Sequence, residues 1–176
     1  MSTASCTIAL FASARRHGNT GRLMDRLAAE LGIEVVDLAA LHMSAFDYEH
    51  RNRGDDFEPL IARVLEFDQL IFASPIYWYS VSSPLKVFLD RLSDLLDIDE
   101  LLAQGRRLRG KRAFVACTSV VDEAPASFVG AFRDTFEYLG MRYGGLLNAN
   151  CENGYEPAKY EADVRRFVSL VAGGVA

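Results

Sequence analysis

The sequence predicts a doubly wound α/β fold, in which helices cover both faces of a parallel sheet of five strands. Short apolar runs alternate along the chain with segments whose apolar residues lie three or four positions apart, as in amphipathic helices. Three of the runs are almost continuously hydrophobic, which is typical of parallel strands buried on both faces. The predicted strands cover residues 6–11 (CTIALF), 33–38 (IEVVDL), 69–73 (QLIFA), 113–118 (AFVACT) and 143–148 (YGGLLN).

Five helices are predicted between and after these strands, because five segments repeat apolar residues at helical spacing. Ligands of such sheets bind beyond the carboxyl ends of the strands, so the loops that follow the strands are the candidate sites. The residues that mark the helices are, in order, Leu23, Leu27 and Leu31; Leu60, Ile61, Val64 and Leu65; Leu85, Phe88, Leu89, Leu92 and Leu95; Phe128, Phe132, Phe136 and Leu139; and Val164, Phe167, Val168 and Val171.

The composition is that of a single globular domain covering residues 1–176, with 50% hydrophobic and 24% charged residues. A chain of this length buries roughly 70% of the surface that its unfolded form exposes, enough for a core without metals or crosslinks. The net charge of −5 argues against a general nucleic-acid binder, whose contact surface is basic. No run approaches the roughly 18 apolar residues of a membrane-spanning helix.

The cysteines and the first residues predict a cytoplasmic location. Cys6, Cys117 and Cys151 are far apart and form neither a CxxC pair nor a zinc-spaced cluster with histidine. Reduced thiols of this kind are typical of cytosolic proteins, and no metal site is expected. No basic residue precedes the first apolar run, so a secretory signal peptide is not expected either.

The loop after the first strand has the composition of a phosphate site. A glycine permits a tight turn, hydroxyl and amide side chains supply hydrogen bonds, and unpaired N–H groups at a helix start attract anions. Asn19 or Thr20 is the expected helix cap, and either arginine adds positive charge. The alternative is that this segment only turns and caps a helix. It lacks the P-loop lysine and the GxGxxG pattern. The loop residues are Ser13, Arg15, Arg16, Gly18, Asn19 and Thr20.

The loop after the third strand contains three consecutive aromatic residues, Tyr77, Trp78 and Tyr79. They cannot all face one core, so at least one is expected to face solvent or a ligand. Flat aromatic surface beside backbone donors suits a planar heterocycle. The alternative is that the aromatics fill a gap against a neighbouring element or subunit. Ser82 or Ser83 followed by Pro84 is a common helix opening.

Together, the segments SARRHGNTGRL and SPIYWYSVSSPLKVFLDRL resemble the NAD(P)H-dependent FMN reductase family of flavodoxin-like flavoproteins. The first matches S-x-R-x-x-G-N-T, and the second matches P-x-Y-W/F-x-x-x-S-x-x-L-K-x-F-x-D-R. The resemblance implies a three-layer sandwich with a five-stranded parallel sheet of order 2-1-3-4-5 and helices on both faces. Relatives often have glycine or another small residue where Tyr79 or Val81 stands here.

The resemblance also implies a set of cofactor-binding residues. The first loop would hold the FMN 5′-phosphate, the second would line the ring and ribityl side, and the loop at residues 118–122 would contact the other side of the ring. The chemistry takes place on FMN, so no catalytic side chain is expected. The implied residues are Ser13, Arg15, Gly18, Asn19 and Thr20; Pro75, Ile76, Tyr77, Trp78, Tyr79 and Ser80; and Thr118 and Ser119.

The function implied by the resemblance is electron transfer from NADPH or NADH, through bound FMN, to a small acceptor such as free flavin, a quinone, or a nitro or azo compound. One alternative is a flavodoxin-type electron carrier without its own NAD(P)H oxidase activity. Another is an interaction protein that kept the fold without the chemistry. His17 is assigned to a solvated loop, and contact with a bound phosphate is the alternative. His42 and His50 are assigned to a polar connection after strand two that borders the site or a partner.

The leucine-rich segment at residues 85–104 predicts a homodimer. One helix on one sheet needs a single apolar stripe, and the leucines extend beyond it. The interface is expected to be near the flavin, since similar reductases cover part of the cofactor with the second subunit. The alternative is that the extra leucines pack into the core beneath a longer connection.

Overall fold

The computed structural model describes residues 7–173 and confirms the predicted sheet. Five strands, all parallel to their neighbours, lie in the order β2-β1-β3-β4-β5. The ends of the predicted strands agree with the structure to within two residues. Cys6, the first residue of the first predicted strand, lies outside the described residues. The strands are β1 Thr7–Phe11, β2 Glu34–Asp37, β3 Gln69–Pro75, β4 Arg112–Ser119 and β5 Arg142–Asn150.

All five predicted helices are present, but the third ends earlier than its leucines suggest. It stops at Arg91, and two short helices follow it before β4. At the break Asp94 is buried, and its carboxylate accepts a hydrogen bond from Arg91 at 2.6 Å. The helices are α1 Asn19–Leu31, α2 Phe57–Val64, α3 Ser83–Arg91, α4 Asp94–Asp97, α5 Leu102–Arg106, α6 Ala126–Tyr138 and α7 Glu161–Ala172.

The core has two halves, one on each face of the sheet. Side chains of a strand point alternately to opposite faces, so Ile8 and Leu10 join one half while Ala9 and Phe11 join the other. Helices α2, α3 and α6 cover the first face, and α1 and α7 cover the second. The central strands β1 and β3 are buried throughout, which explains their continuous hydrophobic runs.

The edge strand β5 has a weak hydrophobic signal because it carries two glycines, one required by close packing and the other by its backbone conformation. A β-carbon at Gly144 would lie 2.3 Å from a ring carbon of Phe114, so no larger residue fits there without movement. Gly145 has a φ of 128°, and the pairing register with β4 shifts between Ala113 and Phe114. The edge of the sheet is therefore bent at the place where its sequence is least strand-like.

Most leucines after α3 pack into the core. This is the arrangement that the sequence offered as the alternative to a subunit contact. Leu92, Leu95 and Leu101 are buried, whereas Leu96 is 43% exposed. Among residues 7–173, none of the helices has the combination of length and apolar character that crossing a lipid bilayer requires.

Candidate functional site

A cleft of about 200 Å³ opens at the carboxyl ends of the strands, between the loops that follow β1, β3 and β4. It is the place that the topology of a doubly wound sheet predicts. Most of the residues expected to bind a cofactor come together in it. The lining residues are Ser13, Arg15, Gly18, Asn19, Thr20, Pro75, Ile76, Tyr77, Thr118, Ser119, Val120 and Cys151.

Helix α1 begins at this cleft without a side-chain cap. The sequence predicted Asn19 or Thr20 as the cap, and this was wrong, because the N-cap residue is Gly18. Glycine has no side chain to accept from the first-turn N–H groups, and the first turn contains no acidic residue. The positive end of the helix dipole therefore faces the cleft, where an anion can take the place of the cap.

The turn into α1 depends on glycines for close approach. A β-carbon at Gly18 would lie 3.2 Å from the Arg15 carbonyl oxygen, which accepts the Gly18 N–H at 3.1 Å. A β-carbon at Gly21 would lie only 1.7 Å from the Arg16 carbonyl oxygen. Sequence reasoning did not assign a role to Gly21. The signal was a glycine in the first turn of a predicted helix, where residues that favour the helical conformation are expected.

The two arginines of this loop have different surroundings. Arg15 is exposed and lines the cleft. Arg16 instead donates to the Asp25 carboxylate at 2.5 Å, and its guanidinium lies over the Phe11 ring at 5.1 Å. The hydrogen bond with Asp25 raises the pKa of Arg16 against the opposing effect of burial. Arg15 is thus the arginine of the pair that is placed to meet a ligand.

The hydroxyl groups expected at the site are buried and hydrogen-bonded. The Thr20 and Thr118 hydroxyl oxygens lie 2.6 Å apart, which joins the start of α1 to the end of β4. The Ser13 hydroxyl accepts the Arg15 N–H at 3.4 Å. Ser119 donates to Val121 O at 2.7 Å and has Asn148 Oδ1 at 3.0 Å. These contacts hold the loops after β1 and β4 around the cleft.

The aromatic loop forms a tight hairpin. Ile76 N–H donates to Thr118 O at 2.8 Å, and Tyr77 and Ser80 exchange two backbone hydrogen bonds of 2.9 and 3.0 Å. Trp78 and Tyr79 between them have φ values of 49° and 64°. This is the geometry of a type I′ turn, in which both central residues are left-handed. Glycine is the residue favoured at such positions, so Trp78 and Tyr79 hold a backbone conformation that side chains of their size rarely adopt.

Trp78, Tyr79 and Ser80 lie beside the cleft rather than in its lining. Trp78 is 93% exposed and Tyr79 is 67% exposed, so the expectation that an aromatic faces outward is confirmed. The predicted roles of these three residues in cofactor binding stay predictions.

Cys151 lines the cleft although it was not among the predicted binding residues, whereas Val120 lies in the loop at residues 118–122 that was expected to contact the ring. Cys151 follows β5 directly, so the rule that ligands lie beyond strand ends could have found it. Burial raises the pKa of the Cys151 thiol against the influence of Arg22 and Lys159. Burial also raises the pKa of Cys117 within β4. Both groups are therefore neutral thiols near pH 7.

The polar connection after β2 is fixed to α3 by a buried charge cluster. Arg91 donates from Nη1 to Asp55 at 2.6 Å and from Nε to Asp94 at 2.6 Å, and its guanidinium lies 4.6 Å from the Phe57 ring centre. His50 Nδ1 lies 3.4 Å from the second Asp94 oxygen. His17 and His42 are exposed, as predicted for loop residues. No cluster that could hold a metal ion occurs among the described residues.

The profile of the family described as NADPH-dependent FMN reductase matches residues 7–153. The chain belongs to this family. Its members use FMN as cofactor and a reduced nicotinamide as electron donor, and the chain is accordingly a flavin oxidoreductase. The match includes every lining residue of the cleft.

A relative of similar sequence agrees with the family assignment, and two solved structures share the fold. A Bacillus subtilis protein named as an NAD(P)H-dependent FMN-containing oxidoreductase, YwqN, is 29% identical over 143 residues, which are 76% of this chain and 78% of that protein. The structure of the Trp repressor binding protein from Bacillus subtilis has a TM-score of 0.71 at 23% identity, with 96% of this chain and 99% of that one covered. The reduced flavodoxin of Megasphaera elsdenii has a TM-score of 0.62 at 12% identity, with 96% and 99% covered. The fold of the FMN reductase chain is flavodoxin-like.

Proposed function

We propose that this FMN reductase binds FMN in the cleft and passes electrons from NADPH or NADH to a small aromatic acceptor. The observation that carries the proposal is the uncapped start of α1 in the same cleft as Tyr77 of the aromatic hairpin and the end of β4. This cleft offers an anion site at one end and flat or apolar surface at the other, as a phosphorylated flavin requires.

The 5′-phosphate would bind at the start of α1. The first-turn N–H groups, the Thr20 and Ser13 hydroxyls and the Arg15 guanidinium all border this end of the cleft. Each supplies a donor, and no acidic residue in the first turn opposes the anion. The fit is favourable because Gly18 brings no side chain into the space.

The ring would lie between the two other loops. Pro75, Ile76 and Tyr77 border the cleft on the β3 side, and Thr118, Ser119 and Val120 border it on the β4 side. Bound FMN supplies the hydride and electron chemistry, and the protein supplies orientation and an accessible ring face. The chain's own residues hold the phosphate and enclose the ring edges without a catalytic acid or base.

The acceptor class follows from the rim of the cleft. Trp78 and Tyr79 on one side and Val120 on the other present exposed apolar surface next to it, with Val120 66% exposed. Such a rim favours planar apolar compounds, so free flavin, quinones, and nitro or azo compounds are the proposed acceptors.

The phosphate assignment is tested with Arg15→Gln, and Arg16→Gln serves as the matched control. Loss of the Arg15 charge is expected to weaken FMN binding about tenfold, the effect of losing one hydrogen bond to a charged group, while riboflavin binding stays unchanged. Arg16→Gln should leave the preference for FMN over riboflavin unchanged, because Arg16 pairs with Asp25. Quenching of flavin fluorescence gives both affinities. Equal FMN affinity in the Arg15 variant and the wild type would contradict the assignment.

The cofactor and the donor are tested by absorption spectroscopy. The purified protein should show flavin bands, or gain them with added FMN, and anaerobic NADPH or NADH should bleach them. Steady NAD(P)H consumption with a small acceptor, without a partner reductase, separates the enzyme from an electron carrier. A colourless protein that fails to bind added FMN would overturn the proposal.

The chain is also proposed to form a homodimer through the α3 region. A groove of about 330 Å³ lies between the end of α3 and the end of α6, and it is bordered by Leu89, Leu96 and Tyr138. Tyr138 is 79% exposed, so this surface is apolar and accessible. An elution mass that stays monomeric at high concentration with FMN bound would exclude the dimer.

The proposed location is the cytoplasm, where NAD(P)H is available as donor. Cys117 and Cys151 are free thiols in this structure. Recovery of the native protein in a membrane or secreted fraction after cell fractionation would contradict this proposal.

A further inference from the structure

The side chain of the N-cap residue of helix α3 bonds to a distant part of the fold instead of capping the helix. Ser82 is at the N-cap position, where a serine hydroxyl normally accepts an N–H group of the first turn. Here its Oγ donates to the Ala12 carbonyl oxygen at 2.9 Å, across a gap of 70 residues in the chain. The helix thus forgoes a stabilising contact in favour of a tertiary one.

Ser74 completes this connection from the β3 side. Its Oγ accepts the Ser82 N–H at 3.0 Å and lies 3.2 Å from Ser82 Oγ. The Ser74 hydroxyl has the Pro75 carbonyl oxygen as an acceptor at 2.8 Å. Both serine side chains are buried, so each hydroxyl depends on these partners.

The three connected residues lie where the two halves of the cleft meet. Ala12 immediately precedes the loop after β1, residues 13–18, which is called the phosphate loop below. The Ala12 N–H donates to Ala73 O at 2.9 Å. Ser74 and Ser82 bracket the segment that contains the aromatic hairpin. None of Ala12, Ser74 and Ser82 lines the cleft, so the connection acts on a ligand only through the loops that it joins.

We propose that Ser82, supported by Ser74, is a positioning residue that fixes the distance between the phosphate loop and the aromatic hairpin. The inference rests on the proposed binding of FMN in this cleft. With the connection intact, a flavin seated against the hairpin also places its phosphate against the start of α1. Without the connection, the start of α1 can still bind a phosphate and the hairpin can still bind a flavin ring. The two are then no longer at the distance that lets one FMN molecule bind both.

The test measures the ratio of the riboflavin dissociation constant to the FMN dissociation constant, which reports the benefit of the phosphate. Ser82→Ala is expected to lower this ratio about tenfold, within the range of coupling between connected groups. The visible circular dichroism of bound FMN, which reports ring orientation, is expected to change in the same variant. Ser83→Ala is the matched control, because Ser83 is the exposed next residue. It should keep the wild-type ratio and spectrum.

A purely structural role for Ser82 predicts a different result. Both flavins would then bind more weakly by the same factor, with an unchanged ratio and an unchanged spectrum of bound FMN, and this outcome overturns the inference. If Ser82→Ala does not fold, Ser74→Ala is judged by the same ratio. Wild-type protein that binds neither flavin would overturn the proposed function itself, whereas wild-type binding with an unchanged ratio in the variant overturns only the positioning role.

Discussion

The hydroxyl groups of Thr20 and Thr118 form a buried hydrogen bond of 2.6 Å between the first turn of α1 and the end of β4. The two residues are 98 positions apart, and both border the cleft. The phosphate loop is therefore joined directly to the loop that faces the other side of the proposed ring site.

Thr118→Val removes this hydrogen bond while nearly keeping the side-chain shape. The Thr20 hydroxyl is then left buried without its partner, so the free energy of unfolding should fall by about 1–2 kcal/mol. Urea unfolding measures the change. FMN affinity should fall as well, because the loop after β4 loses a fixed contact. A variant as stable as the wild type would show that the hydrogen bond contributes nothing net.

The left-handed turn at Trp78 and Tyr79 predicts an unusual preference for glycine. Left-handed backbone costs a non-glycine residue about 1–2 kcal/mol, so Tyr79→Gly should be about 1 kcal/mol more stable than Tyr79→Ala. The exposed helical position Ala131 is the control, since Ala131→Gly should instead cost about 1 kcal/mol. Chemical denaturation of the three variants and their parent measures both differences. Equal stability of the two Tyr79 variants would contradict a strained turn.

The buried cluster around Arg91 predicts a loss of stability in acid. Burial opposes the charge of Asp55, but hydrogen bonds from Arg91 and from the Ser44 and Phe57 N–H groups outweigh it and lower its pKa. A lowered pKa in the folded state stabilises the protein above the unfolded value of about 3.9, and this contribution is lost as the pH falls through the folded value.

Asp55→Asn should therefore weaken the dependence of stability on pH below about pH 4. At neutral pH the variant should lose about 3 kcal/mol or more, because Arg91 is left buried without one of its two carboxylate partners. Thermal unfolding of both proteins at a series of pH values gives the slopes. Parallel slopes would show that Asp55 does not contribute to the acid sensitivity.

The close approach of Gly144 to Phe114 predicts coupled effects of mutation. Gly144→Ala places a methyl group in the space of the Phe114 ring and should cost about 1–3 kcal/mol. In a Phe114→Leu background the same substitution should cost less, because the smaller side chain leaves room. A double-mutant cycle measures the coupling, and additive costs would show that the two residues do not interact.

The sequence was sufficient for the architecture because each strand and helix carries its own periodic pattern. Strands β1, β3 and β4 are buried on both faces of the sheet. Strands buried in this way have continuous apolar runs, which the sequence shows. The end of the third predicted helix was not foreseen, because Leu92 and Leu95 continue its apolar spacing past the break at Arg91. Periodicity reports which residues are buried and does not report where the backbone hydrogen bonds of a helix change from four-residue to three-residue spacing, as they do after Arg91.

The site was predicted less completely than the fold, for a related reason. The loop motifs located the residues around Gly18 and Tyr77, but tertiary contacts decided how each residue is used. The Ser82 hydroxyl contacts Ala12 instead of its own helix, and Arg16 contacts Asp25 while Arg15 stays available. Ala12 is far from Ser82 in the chain, and the adjacent residues Arg15 and Arg16 are equally good candidates for a ligand contact. No local sequence pattern therefore predicts either arrangement.

The phosphate of FMN, bound as proposed, would supply the cap that Gly18 lacks, and so would add to the stability of the protein. A phosphate bound there would accept hydrogen bonds from the N–H groups of the first turn of α1. The protein without FMN should therefore be less stable than the protein with FMN. A ligand that binds only the folded state at about 100 times its dissociation constant adds roughly 2.7 kcal/mol to the free energy of unfolding. The lifetime of the protein in a cell should accordingly be shorter when FMN is scarce. The protein without FMN unfolds more often and is then open to proteolysis.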